Sequence, residues 1–394
     1  MPDLHVVRQE KKENFEAEVR LHRAKIFGSV ALAIIVIACA CLYAKHYFDT
    51  KTYTGYEILG KSLRSDSDTA KYLTYNGHIL KYSRDGAESY DGLKEARWNI
   101  TYEMQDPQVA TCNDYVAMAD EGSTEILVVS GTGEETHINT KLPIVNFSVA
   151  GQGVVAVVLE DGEAARINLY DAEGNELAGI KCSMVKSGYP IDVALSPDGT
   201  LLGVSYTRVD GETGSVHSSV AFYNFGDVGQ NEIDNYVSGY DYGDVIIPRI
   251  KFLSHDCAVA IGDNRMVFYS GDQKPEAVSE NSIKEEIQSV YFGPEKTALV
   301  FRSDEGGNKY RLVVYGKNGR QLMDKDFELS YTDIQLCDKR AVIYNDSTCE
   351  IIDFNGNIRY DGLFEDPVLL MVPTDNVARY VLVNRGMTQE IQLD

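Results

Sequence analysis

Cysteine is scarce in this chain: seven in 394 residues, with no CxxC pair and with two, Cys39 and Cys41, inside an apolar run. The other five, Cys112, Cys182, Cys257, Cys337 and Cys349, are widely spread and odd in number, which argues against a disulfide framework and reads them as small buried hydrophobes. A bridge between Cys337 and Cys349 stays open. Histidine is equally thin, and His5, His22, His46, His78, His137, His217 and His255 are too dispersed for HExxH or a local zinc pair. No metal site or cofactor is expected, although ligands from distant segments could still converge. Basic residues are also in deficit, 37 against 60 acidic ones, for a net charge of −23. Residues 1–44 carry a net charge of +1, so the acidity belongs to the body of the chain. Such a surface repels phosphate backbones and argues against nucleic acid as a partner; plain solubility accounts for it.

Signatures of chemistry are missing too. GxSxG is absent, and Ser183-Met-Val-Lys186 matches SxxK without an accompanying KTG. Asp66 and Asp68 lack EF-hand spacing and read as a solvated turn. One pattern is complete: Gly55 to Ser62, GYEILGKS, fits GxxxxGK[ST]. A phosphate loop needs a buried strand before it, small residues in the loop and a helix after it. Here bulky Tyr56, Ile58 and Leu59 fill the loop and polar SLRSDSDTAK follows, so an outer strand and a turn are expected and nucleotide is not.

What the chain does have begins with Ile26–Ala44, nineteen residues without a charge, roughly 28 Å as a helix and long enough to cross a bilayer. A cleaved signal peptide is the competing reading; its apolar core is usually shorter, and no clean small-residue cleavage site precedes His46. Arg8, Lys11, Lys12, Arg20, Arg23 and Lys25 precede the run, while Lys45 and Lys51 alone follow it closely. The positive-inside rule then predicts a cytoplasmic tail (1–25), a membrane helix (26–44), a short linker (45–51) and an extracytoplasmic body (52–394).

The body repeats. A β-rich run ending in an aromatic or acidic residue and a turn recurs as AESYDG at 87, ILVVSGTG at 126, INLYDAEG at 167, VAFYNFGD at 220, MVFYSGDQ at 266, LVVYGKNG at 312 and EIIDFNGN at 350. Spacings of 38 to 53 residues are those of a four-stranded propeller blade. Pro107, Pro143, Pro190, Pro248 and Pro367 each stand just before a β-run, where a missing N–H interrupts no central ladder. Pro197, Pro294 and Pro373 follow at the next turn. The fold class predicted is all-β, an eight-bladed propeller, with seven blades if one unit is irregular. The final blade runs out of chain after three strands, and TYTGYEIL at 52–59 can supply the fourth, closing the ring.

The residues at the start of each blade's first strand face the channel mouth of a propeller. In this register they are Gln108, Asp192, Arg249, Gln288, Thr332 and Asp333, the candidate small-ligand positions. Tyrosine is abundant, 25 copies, and dense around Tyr240 and Tyr242; packing on sheet surfaces is the plain reading and a partner face the alternative.

LSPDGTLLGVSY from Leu195 resembles the turn-strand signature of WD40-like and TolB-like propellers. With Tyr75-Asn-Gly77, Trp98-Asn99, GVVAVVLEDG from Gly153, KSGYPIDVALSPDGT from Lys186 and FYNFGDVGQN from Phe222, the whole chain resembles an uncharacterised family of single-pass membrane propellers of Gram-positive anaerobes. The resemblance implies architecture and no catalytic residue. The expectation for function is a protein-binding or scaffold module of the cell envelope, not an enzyme, with an envelope or membrane protein as partner. An envelope enzyme or carbohydrate-binding protein using the channel, and a ligand sensor acting through a membrane partner, are the alternatives.

Overall fold

The computed structural model describes residues 6–394 except 66–68, 185–186, 212, 304–306 and 308; for 6–18, 45 and 48–50 it describes the helical backbone alone. Asp66, Asp68 and Lys186 thus lie outside the described residues. The chain divides into two units, 1–52 and 53–394.

The first unit is one helix, Val6–Thr50. Its stretch Val19–Ala44 is long and apolar enough to cross a membrane. Leu21, Ile26, Phe27, Ile35, Ile37 and Leu42 are all exposed, so the apolar surface runs around the helix with no protein covering it. The segment 45–51 contains no glycine or proline to stop the helix, which continues to Thr50 instead of giving way to an extended linker.

The second unit consists of eight four-stranded antiparallel sheets, and the expectation of eight blades holds. Blades one to seven span 71–101, 108–139, 144–182, 189–241, 249–282, 287–327 and 333–363, each in simple chain order. The eighth takes three strands from 368–393 and its outermost strand, Tyr56–Leu63, from the opposite end of the chain. Tyr56 pairs with Leu393 and Leu63 with Met387. The closing strand begins four residues later than 52–59, because Tyr53 to Gly55 form the approach to it: Tyr53 N–H donates to Arg359 O at 2.7 Å and Thr54 N–H to Asp394 O at 2.9 Å. Gly60, Lys61 and Ser62 of the phosphate-loop pattern therefore lie in a sheet ladder, opposite Glu390, Gln389 and Thr388.

Burial follows position in the blade. Middle strands are apolar and buried over most of their length, as in residues 155–159 of Val155–Asp161 and the whole of Cys257–Ile261, since sheets cover both their faces. Outer strands such as Tyr56–Leu63 alternate between half-buried and exposed. Phe222, for example, packs edge-on against Tyr269 of the next blade, with ring centroids 4.9 Å apart. The turn Ser196-Pro-Asp-Gly199 is held by the Ser196 hydroxyl, which accepts from Leu201 N–H at 2.9 Å, and needs glycine at a φ of 70°.

Cys337 and Cys349 are free thiols, so the bridge left open above is not formed. Strand Arg340–Tyr344 separates them, placing them at opposite ends of the blade. Its length, roughly 13 Å, exceeds the reach of a disulfide. Cys349 Sγ instead lies 3.6 Å from Met371 Sδ. The dense tyrosines are mostly interior: Tyr242 OH meets Tyr269 OH at 2.5 Å and Tyr240 OH donates to Pro275 O at 3.0 Å, tying blades four and five together.

Candidate functional site

First strands of neighbouring blades approach one another, which puts them innermost around the channel. Several carry a β-bulge near their start: the register shifts between Ile144 and Asn146, between Pro190 and Asp192, and between Ile287 and Ser289. A bulge re-aims the following side chain. In blades three, four and six those side chains are Asn146, Asp192 and Ser289, all polar and all at the ring's inner edge.

A cavity of about 570 Å³ occupies the channel between blades two and six. Its polar lining includes Gln108, Asn146, Ser148, Asp192, Arg249 and Lys251, with Ile144, Val290 and Phe292 among its apolar walls and Glu121 also on its surface. Asp192 is buried. One of its oxygens accepts from Asn146 Nδ2 at 2.9 Å and the other from Ile250 N–H at 2.8 Å. It thereby clamps blades three, four and five. Burial pushes its carboxyl above the usual carboxylate range, against the opposing effects of the Ile250 N–H, the Arg249 guanidinium and Asn146. Ser148 ties blades three and four in the same way, its hydroxyl accepting from Leu195 N–H at 3.0 Å.

Arg249 and Lys251 are two apart on strand Arg249–Ser254 and both exposed, whereas Ile250 and Phe252 are buried. Alternation thus puts the two apolar side chains against blade four, in a cluster with Ala194, Leu201 and Phe222, and the two cations on the other face. Lys251 is solvent-accessible along the channel but ringed by protein. That desolvation pulls its ammonium below the ordinary lysine value; Cys112 and Asp192 offset part of the effect and Arg249 adds to it.

Beside the channel, between the first strands of blades five and six, lies a cleft of about 770 Å³ lined by Pro248, Arg249, Ile261, Asp263, Glu286, Ile287, Gln288, Val290 and Phe292. It shares Arg249, Val290 and Phe292 with the channel cavity. No residue of strand Ile287–Gly293 is fully buried, whereas five of the seven in Tyr189–Leu195 are.

Gln108, Asp192 and Arg249, picked from the repeat register, therefore meet in one cavity, and Gln288 is the bulged residue of the adjoining cleft. Thr332 and Asp333 line neither cavity. Asp333 is occupied locally, accepting from Tyr344 OH at 2.9 Å and Gln335 Nε2 at 2.7 Å, and Thr332 N–H donates to Tyr344 O. Lys251, Asn146 and Ser148 were not singled out from sequence; Lys251 carries a signal, since a residue two beyond Arg249 in a strand shares its face. Among the described residues no group of three His, Cys, Asp or Glu side chains is placed to hold a metal ion.

Ring, closure and inner-strand bulges define the class: an eight-bladed β-propeller closed by strands from both ends of the chain, preceded by one apolar helix. The chain belongs to the family of unknown function DUF5711, whose pattern it matches over residues 49–393. No curated protein matches it. Solved structures similar to it include BamB from Moraxella catarrhalis, at 12% identity over 86% of this chain and 100% of that one with a TM-score of 0.49. Kluyveromyces lactis Hsv2 is similar at 12% identity over 76% of this chain and 98% of that one, with a TM-score of 0.46. At these values the likeness is one of fold alone.

Proposed function

We propose that the chain is a membrane-anchored scaffold of the cell envelope, its propeller held outside the cytoplasmic membrane to bind another protein. The anchor is the uncharged run 26–44, within the 26-residue helix segment Val19–Ala44 that is long and apolar enough to cross a membrane. The basic residues ahead of it support a cytoplasmic N-terminus.

The observation that carries the binding role is a set of exposed apolar side chains on one face of the ring. Strands alternate in direction within a blade, so the second and fourth strands end on the face where the first strands begin. Val209 ends the second strand of blade four, while Leu363 and Leu63 end the outer strands of blades seven and eight. They are 65%, 71% and 86% exposed. Ile246, between blades four and five, adds to the same face. Fixed on the rigid ends of strands, these side chains are the anchors proposed for a protein partner.

The test is crosslinking and affinity capture of the tagged full-length protein from membranes, with mass spectrometry. We expect a partner retained by the wild type, lost from a Val209→Glu/Leu363→Glu/Leu63→Glu variant and unaffected by Ile233→Glu, on the opposite face. Capture of the same partners by residues 1–50 alone, or indifference to the triple substitution, overturns the scaffold reading.

A further inference from the structure

Carboxylates outnumber bases in this chain by 60 to 37, and several basic side chains on the propeller's periphery pair with them. Arg311 is bonded to both Asp324 and Glu285, Arg265 to Glu280, and Lys317 to Glu295. Arg249 and Lys251 depart from this. They point the same way from one strand into a confined channel, and among the described residues neither has a hydrogen bond or an ion pair. Asp192, the carboxylate they face, has each oxygen engaged by another donor, Asn146 or Ile250 N–H. Two like charges side by side in a partly desolvated space are held against their own repulsion. An anion placed between them relieves it.

Next to the pair the wall changes character. The cleft between blades five and six opens at Arg249 and is faced by Pro248, Ile261, Ile287, Val290 and Phe292. Its volume, about 770 Å³, falls within the range of small-molecule sites. We propose that the channel of this propeller binds an amphipathic monocarboxylate, its carboxylate held between Arg249 and Lys251 and its apolar body lodged in the cleft between blades five and six. A guanidinium presents paired N–H donors that match a carboxylate's two oxygens. Asp263 and Glu286 on the cleft wall and Glu121 at the channel select against a second negative charge on the ligand. The site shares Ile246 with the rim proposed to bind protein, but Val209, Leu363 and Leu63, which carry that reading, line neither cavity.

The experiment uses the full-length chain in lipid nanodiscs, with empty nanodiscs subtracted, and isothermal titration with 3-phenylpropanoate. Its neutral amide, 3-phenylpropanamide, removes the charge, acetate removes the apolar body, and inorganic phosphate tests for a general anion site. We expect saturable binding of 3-phenylpropanoate, with the amide and acetate each about 10-fold weaker or more. Arg249→Gln and Lys251→Gln should each weaken it about 10- to 100-fold, since each removes a charge-assisted hydrogen bond. Phe292→Glu should abolish it and Lys284→Gln, away from the channel, should leave it unchanged. Both cations lack a protein partner and repel one another, so the glutamine variants should melt at or above the wild type, and that control separates lost binding from lost fold. The proposal is overturned if 3-phenylpropanoate shows no saturable binding at millimolar concentration, if the amide binds equally well, if the Arg249→Gln/Lys251→Gln double variant titrates like the wild type, or if phosphate competes more strongly than the carboxylate.

Discussion

Asp192 shows how one side chain can be predicted as a ligand-site residue and prove to be joinery as well. The repeat register put it at the channel mouth, and it lines the cavity there. Its two oxygens, however, are spent on neighbouring blades, through Asn146 and Ile250 N–H. Substitution by alanine leaves the Ile250 N–H and the Asn146 amide without their acceptor, and should cost about 2–3 kcal/mol in chemical denaturation. Asn keeps an acceptor for Ile250 N–H, and Asp192→Asn should cost about 1 kcal/mol or less. The pH dependence distinguishes the two further. The folded chain holds the Asp192 proton more tightly than the unfolded chain does, because burial raises the carboxyl. Its favourable contribution is therefore complete below the ordinary carboxylate pKa and is lost as pH rises through the raised, folded value. The wild type should lose stability across that acidic window relative to Asp192→Asn, whose denaturation midpoint lacks this slope; parallel profiles would refute the assignment. Thr332 and Asp333 were read from the same register and sit elsewhere because local partners claim them. Tyr344 OH and the Gln335 amide turn Asp333 into its own blade, and no spacing rule carries that information.

At the level of the element, the repeat was legible because every blade must solve the same problem in the same order. A buried middle strand has to be largely apolar, the turn after the third strand in most blades reverses tightly, and a proline is tolerated where a blade begins or at the turn after its first strand. Bulges were not legible, since one extra residue between Ile144 and Asn146 or between Ile287 and Ser289 leaves no mark in composition. They nevertheless decide which side chains face the channel, and this is why the fold was read more fully than the site. The closing strand was placed from the missing partner of the last blade, and its register depends on Tyr53 and Thr54 being held by Arg359 O and Asp394 O. Ser62 tests it: Arg64 N–H donates to Gly386 O, so by alternation the Ser62 N–H, opposite Thr388, points into the ladder. Ser62→Ala should be near neutral, while Ser62→Pro removes a ladder N–H, crowds the strand and should cost about 2–3 kcal/mol. Thermal unfolding of both variants in one buffer checks this, and a proline variant as stable as the alanine one would mean that the ring does not depend on Tyr56–Leu63.

For the whole molecule the proposed role turns on which side of a membrane the propeller occupies. Six Lys and Arg residues precede the apolar run and only Lys45 and Lys51 follow it closely, the asymmetry expected when the short end stays in the cytoplasm and the long end is exported. An acidic body also gains nothing from lying against anionic headgroups, so charge favours a ring held by its helix alone. Two single cysteine variants of the full-length protein decide the matter. Glu232→Cys lies in an exposed segment between the third and fourth strands of blade four, and Gln9→Cys lies in the first turns of the helix, ahead of its apolar stretch. On intact cells a membrane-impermeant maleimide should label Glu232→Cys above the wild-type background and should reach Gln9→Cys only after permeabilisation. The reverse pattern would invert the topology and remove the case for an envelope role. Recovery of a labelled, soluble propeller lacking residue 9 would identify the apolar run as a cleaved signal, since a helix that is cut away cannot hold the ring at the membrane.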